Sequence, residues 1–361
     1  ASGSTYVAYL FAHNDGDGEF GPDGDQDIIK CGSFTASGKT ASVDLGFEPQ
    51  WILTKCSSAA NAEGWEIFDS MRGMPVNRSD NRLFANSSIA EETGQNSINV
   101  RADGFDIEDN IVSGGTYIYM AIRRGPLAQP ESATEVFAPV FHNDDTSEIN
   151  VSGGFTADAF ISKRRSGSAT YMTPRLLGGQ TLQPSSTAGE VGYSNFVAWD
   201  TQEGVNFTGW WGSVTDGIDW QFKRAPGFFD VVAYSGDGVA GRTVSHNLGV
   251  APEMMWVKSR EQARSWNAYL GPLGLSGGAP AYAVLNETDA AAYSTTRFYT
   301  TPTATEFSVG SNSRVNTSGE DYIAYLFATV PGVSKVGSYT GNGSSQTIDC
   351  GFTSGARFVL I

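Results

Sequence analysis

The residues able to do chemistry in this 361-residue chain are few and scattered. Its histidines, His13, His142 and His246, occupy non-equivalent places and have no serine or cysteine partner at a recognisable motif. No phosphate-loop signature and no His-Glu-x-x-His pair occurs. Glycosidic chemistry needs two carboxylates facing across a cleft. Asp69, Asp106, Glu108 and Asp109 are candidates by type, but most have no counterpart elsewhere in the chain, and solvated turns account for them. The cysteines Cys31, Cys56 and Cys350 are odd in number, lack metal-ligand spacing and read as small buried hydrophobes. No catalytic residue is assigned, and the chain is expected not to be an enzyme.

Two features suit binding rather than reaction. The stretch His13-Asn-Asp-Gly-Asp-Gly-Glu-Phe-Gly-Pro-Asp-Gly-Asp-Gln-Asp27 alternates carboxylates with glycine. Carboxylate oxygens suit calcium, and glycine permits the tight backbone around it. Asp15, Asp17, Asp23, Asp25 and Asp27 are the candidate ligands, although the register leaves that of an EF-hand loop at Glu19-Phe20. An exposed acidic loop between repeats is the competing reading. Trp210, Trp211 and Trp220 are the candidates for stacking on sugar rings. Adjacent strand residues point to opposite faces, so one of Trp210 and Trp211 is expected inside and the other outside. Trp65 and Trp266 recur at equivalent places and read as core.

The net charge of −16 leaves no basic face for displacing counterions, which argues against nucleic acid. Lys163-Arg164-Arg165 is short and reads as a strand end in solvent. No apolar run is long enough to insert in a bilayer as a helix. With 40% hydrophobic and 17% charged residues, the chain can fill several ordinary cores.

The elements that would position these residues repeat. Tyr6-Val-Ala-Tyr-Leu-Phe-Ala12 and Tyr322-Ile-Ala-Tyr-Leu-Phe-Ala328 are near copies. Tyr117-Ile-Tyr-Met-Ala-Ile-Arg123 is a third relative and Ile218-Asp-Trp-Gln-Phe-Lys223 a degraded fourth. Each has the length and apolar content of a strand. A second signature opens each unit: Gly32-Ser-Phe34 with Val43-Asp-Leu-Gly-Phe47 corresponds to Gly337-Ser-Tyr339 with Ile348-Asp-Cys-Gly-Phe352. The same frame runs through Phe141 to Phe155 and Tyr234 to Val250, and each copy reads as a β-hairpin about a polar turn. Phe34, Phe141, Tyr234 and Tyr339 recur about a hundred residues apart. A central apolar strand follows, ending at Lys55, Lys163 and Lys258 as though leaving the sheet into water.

The expected fold is therefore all-β, a tandem series of β-sandwich (jelly-roll-like) repeats. A β-propeller ranks behind it, because propeller blades are about half as long. Residues 1–26 read as the end of a truncated repeat plus an acidic junction loop. Residues 27–127, 136–227 and 228–331 read as full repeats, the second divergent, with a linker over 128–135. Residues 332–361 open a further repeat, so the chain reads as a segment of a longer array. Tight junctions predict a semi-rigid rod.

These signatures resemble a repeat common in large virion proteins of marine phages that infect cyanobacteria and pelagic bacteria. There it often sits beside laminin-G-like or concanavalin-like domains in tail fibres. The matching residues are Asp27-Ile-Ile-Lys-Cys-Gly-Ser-Phe34, Leu45-Gly-Phe-Glu-Pro-Gln-Trp-Ile-Leu53, Gly337-Ser-Tyr-Thr-Gly-Asn-Gly343 and the Tyr-Ile/Val-Ala-Tyr-Leu-Phe-Ala strands. The match covers nearly the whole chain and is weakest from Ser166 to Gln221. The resemblance implies a structural and adhesive fibre segment on the virion surface, outside the cell. Its partners would be other virion proteins and a host surface glycan, and it would self-associate, as a trimer by analogy. No catalytic residue is carried over. The rival expectations are a carbohydrate-binding module array from a secreted polysaccharide-active protein and, behind it, a depolymerase.

Overall fold

The computed structural model describes residues 5–13, 20–59, 64–108, 111–142, 148–167, 169–192, 197–208 and 216–361. It is all-β: antiparallel sheets with three short 3-10 turns and no α-helix among the described residues. Every ladder between named strands lies within one of three spans, bounded by Ile29 and Arg123, Phe137 and Phe222, and Phe229 and Phe327.

Each span uses one plan. An opening strand (Ile29–Thr35, Phe137–His142, Phe229–Ser235) pairs with a closing strand (Thr116–Arg123, Gly217–Phe222, Asp321–Phe327). The closing strand pairs on its other side with the central strand (Pro49–Cys56, Ala159–Arg164, Met254–Ser259). A fourth strand (Glu66–Asp69, Tyr171–Pro174, Asn267–Leu270) borders the central one. The closing strand is thus enclosed, which is why the last copy is apolar on both faces: Tyr322, Ala324 and Leu326 on one, Ile323 and Tyr325 on the other, all fully buried.

A small second sheet covers one face of the main sheet. Ala41–Asp44 pairs with Gly104–Ile107, Glu148–Val151 with Val205–Thr208, and Arg242–Ser245 with Glu306–Val309. In the third unit the resulting sandwich core holds Tyr234, Val244, Met255, Phe298, Phe307, Tyr322 and Leu326. The opening signature is therefore not the hairpin its turn residues suggested. Its two strands belong to different sheets, and the polar turn carries the chain from one layer to the other. The repeated glycine of that signature makes a sharp entry into the central strand: Gly46, Gly154 and Gly249 have φ of 78°, 82° and 75°, where a Cβ is strained.

The repeat extends to individual hydrogen bonds. Val112 N–H donates to the Tyr117 hydroxyl at 2.8 Å, and Thr317 N–H to the Tyr322 hydroxyl at 2.9 Å. Phe34 stacks on Tyr117 and Tyr234 on Tyr322, both with ring centroids 5.3 Å apart. Trp65 N–H donates to Asn86 Oδ1 at 2.7 Å and Trp266 N–H to Asn286 Oδ1 at 2.8 Å.

The arrangement of the units differs from a rod. The first and second units meet where Val76 N–H donates to Leu176 C=O at 2.9 Å. The second and third meet where Trp266 Nε1 donates to Gln183 C=O at 3.0 Å. The first and third also meet: Asn77 Nδ2 donates to Asp321 Oδ2 at 2.6 Å, and Asn247 Nδ2 to Ala102 C=O at 3.0 Å. The units form a triangle around one shared core to which all three contribute, including Val76, Leu176, Leu182, Phe222, Phe229 and Trp256. The cause is the second apolar face of each main sheet. In the third unit Trp256, Ile323 and Tyr325 point away from the unit's own sandwich, and a neighbouring unit must cover them.

Other expectations shift with this packing. Trp266 is buried as expected, but Trp65 is half-exposed. Lys258, expected to lead into water, is fully buried and donates to the carbonyls of Ser259 and Gln262 at 2.7 and 3.2 Å. The strand-like sequences at 6–12 and 332–361 join no sheet.

Candidate functional site

Where the first two units meet near the junction with the third, a cleft of about 380 Å³ opens. Met71, Met74, Val100 and Leu176 give it an apolar floor, and Gln50, Ser70 and Thr156 supply neutral polar groups. Glu48, Asp158, Arg124, Arg175, Lys223 and Arg224 bring both signs of charge.

The repeat positions these charges. Glu48 and Asp158 precede the central strands of the first two units; Arg124 and Arg224 follow the closing strands. Glu253 and Thr329 hold the places of Asp158 and Arg224 in the third unit, with a hydrogen bond of 2.5 Å from the threonine hydroxyl. Arg224 forks onto Glu48 with bonds of 2.7 and 2.6 Å, while its Nε donates to Asp230 at 2.6 Å. Its backbone N–H donates to Asp158 at 2.8 Å. One guanidinium thereby ties the first unit to the third at the end of the second, and the bidentate geometry is of the strong kind. Burial alone would raise the Asp230 carboxyl; the charges of Arg224 and Arg124 overcome it and hold the group below the ordinary aspartate value. Burial likewise opposes the Arg224 charge, and Asp230 and Glu48 more than offset it.

Two further nodes join units. Arg175 is buried over the Trp199 ring, its carbon 4.9 Å from the centroid. It donates to the carbonyls of Ala157, Trp199 and Ser70, the last in the first unit. Glu190 of the second unit bonds both Arg78 of the first and Arg260 of the third, with its carboxylate and the Arg260 side chain almost fully buried. Burial pulls Lys258 down to about 8, with Glu320 and Glu190 opposing.

The charges of this constellation face one another across unit boundaries. Lys223 and Gln50 line the cleft with no side-chain hydrogen bond among the described residues, and they are the groups placed to meet a ligand. The sequence offered a signal for the nodes that composition obscured. Arg124 and Arg224 sit one repeat apart, and Asp158 repeats as Glu253, with Gln50 at that place in the first unit; Glu48 falls where the other units have Thr156 and Ala251, so its charge is peculiar to the first unit.

The residues singled out from the sequence do not gather here. Trp220 lies on the closing strand of the second unit, opposite Pro139 and Ile161, half-buried and 5.5 Å from the Phe358 ring. Trp210 and Trp211, like Asp15 and Asp17, lie outside the described residues. Asp23 and Asp25 are exposed, and Asp25 and Asp27 lie in the field of Arg123. Among the described residues no three His, Cys, Asp or Glu side chains converge as a metal site. Asp69 and Asp106 are not solvated turns: they pair with Arg72 at 2.6 Å and Arg101 at 2.7 Å. His13 Nδ1 accepts from Cys31 N–H at 3.1 Å, and His246 is buried beside Phe307, where burial lowers its pKa. Cys56 is buried; Cys31 and Cys350 are half-buried. Gly274-Leu-Ser-Gly-Gly278 has the spacing of a nucleophile elbow. Ser276, however, ends a two-residue exposed strand at a turn with no helix after it, so the strained strand-to-helix geometry is missing.

Fold and cleft together define a β-sandwich repeat chain whose units are locked by buried ion pairs. The chain belongs to the family described as Domain of unknown function (DUF7483), whose model matches residues 1–126 and 178–361. The unmatched stretch, 127–177, runs through the linker and into the first half of the divergent second unit. No curated protein and no solved structure matches the chain.

Proposed function

We propose that this chain is a non-catalytic, structural and adhesive segment of a virion surface appendage, a spacer that also contacts the host surface. The observation that carries this reading is the use made of its buried charge. Arg224 with Glu48 and Asp230, and Glu190 with Arg78 and Arg260, join one sandwich to the others. Such joints suit a part that transmits load, and the strong negative charge suits a particle surface that must not self-adhere. Antibodies against the purified chain, used in immuno-electron microscopy of phage particles whose genome encodes it, test the placement. Label on projecting fibres supports the reading, and particles without label remove it.

A carbohydrate-binding array is the second reading, favoured by the cleft, where Gln50, Ser70 and Lys223 stand around an apolar floor. A glycan array separates the two. Strong retention of a plant or algal polymer, lost in Gln50→Ala and Lys223→Ala, favours the second. Release of reducing ends from host polysaccharide would instead mark a depolymerase.

A further inference from the structure

The cleft between the first two units runs against the charge of the chain around it. The protein has 39 Asp and Glu against 23 Lys and Arg, yet four of those cations and two of those carboxylates line the cleft. Most of this charge is neutralised internally. Arg224 meets Glu48 and Asp230 at 2.6 Å, and Arg124 stands 3.5 and 3.7 Å from the same two groups. Arg175 has Asp158 at 3.9 Å, and its hydrogen bonds go to neutral carbonyls. With Asp230 included, four cations face three carboxylates. The cation in surplus is Lys223, which forms no ion pair among the described residues.

Comparison of the repeats shows how the surplus arises. The second and third units place a carboxylate, Asp158 or Glu253, just before the central strand; the first unit has Gln50 there. Gln50 is exposed in the cleft, where its amide both donates and accepts. A carboxylate at that place would cancel Lys223 and repel an anion. The rest of the lining narrows the choice of ligand. Met71 and Met74 give an apolar floor, but no aromatic ring lines the cleft. A neutral sugar lacks the ring on which it would stack, so charge must carry the recognition.

We propose that this cleft takes an acidic saccharide. The carboxylate or sulfate of one sugar residue sits on Lys223, hydroxyls meet Gln50 and Ser70, and the apolar ring face lies on Met71 and Met74. The inference rests on the reading of the chain as a part that contacts a surface glycan, and it names the class of that glycan. The lysine ammonium is a compact charge with three rotatable donors, so either anion suits it. The volume of about 380 Å³ admits a short segment of such a polymer.

Calorimetric titration of the 361-residue chain tests this with trigalacturonate and its methyl ester, and with a sulfated galactan trisaccharide and its desulfated form. At least one acidic probe should bind, and which of the two binds tighter tells carboxylate from sulfate. Its neutral form should bind at least about tenfold more weakly, and added salt should weaken the acidic form alone. Lys223→Gln and Gln50→Glu should each weaken the acidic probe about tenfold or more at an unchanged melting temperature, while Lys223→Arg should retain it. Equal affinity for charged and neutral forms overturns the inference and leaves the glycan reading standing. Acidic binding that neither Lys223→Gln nor Gln50→Glu weakens does the same. If no saccharide binds, charged or neutral, the glycan reading falls and the inference falls with it.

Discussion

Arg224 is the side chain whose removal should cost the fold most. Arg224→Ala leaves the buried Glu48 and Asp230 carboxylates to the more distant Arg124, 3.5 and 3.7 Å away, and breaking such a buried pair costs about 3–5 kcal/mol. Urea unfolding at neutral pH measures it, and Glu253→Ala, which loses only a threonine partner, should cost visibly less. Lys258 gives a pH signature. Its folded value is lowered from 10.5 to about 8, so between those values the unfolded chain binds more protons than the folded one. Its contribution to stability is therefore full above 10.5 and is lost as pH falls through 8. Lys258→Met should remove that rise between pH 8 and 10, seen as a smaller difference in denaturation midpoint across the window. Tyr234 and Tyr325 act in the opposite sense above pH 10, because burial raises both, so the comparison belongs below that point.

At the scale of elements, equivalent strands should fail alike. Tyr322→Phe leaves the Thr317 N–H without its acceptor and removes the bond to Ser313 C=O; Tyr117→Phe does the same to Val112. Each should lower stability by about 1–3 kcal/mol, measured by chemical denaturation. This level was the most legible in the sequence. The aromatic of the opening strand, the glycine before the central strand and the closing run all fall where their spacing placed them. What was not legible was which sheet each strand joins. Val43 and Phe34 sit on either side of a turn that looks like a hairpin, and only the burial of both layers shows that the turn crosses between them. The cleft residues were hidden for a related reason. Glu48 and Asp158 resemble the many carboxylates of an acidic chain until the fold sets Arg224 between the units they belong to. Lys258 misled because a strand-end lysine normally enters water, and here another unit occupies that space.

For the whole molecule, the prediction concerns cooperativity. Hydrogen bonds and ion pairs connect every pair of units, and a single core runs through all three. Calorimetry should show one transition for the intact chain. Glu190→Ala, which releases Arg78 and Arg260 together, should split or broaden it. The triangular clasp also bears on how such a gene can grow. A linear array gains or loses modules singly, because each touches only its sequence neighbours. Here Glu48 finds its forked arginine at the end of the following module and Asp230 completes the pair from the one after, so excising the middle copy would leave two buried carboxylates sharing the more distant Arg124. Recombination that alters the length of this protein is therefore expected to move modules in threes.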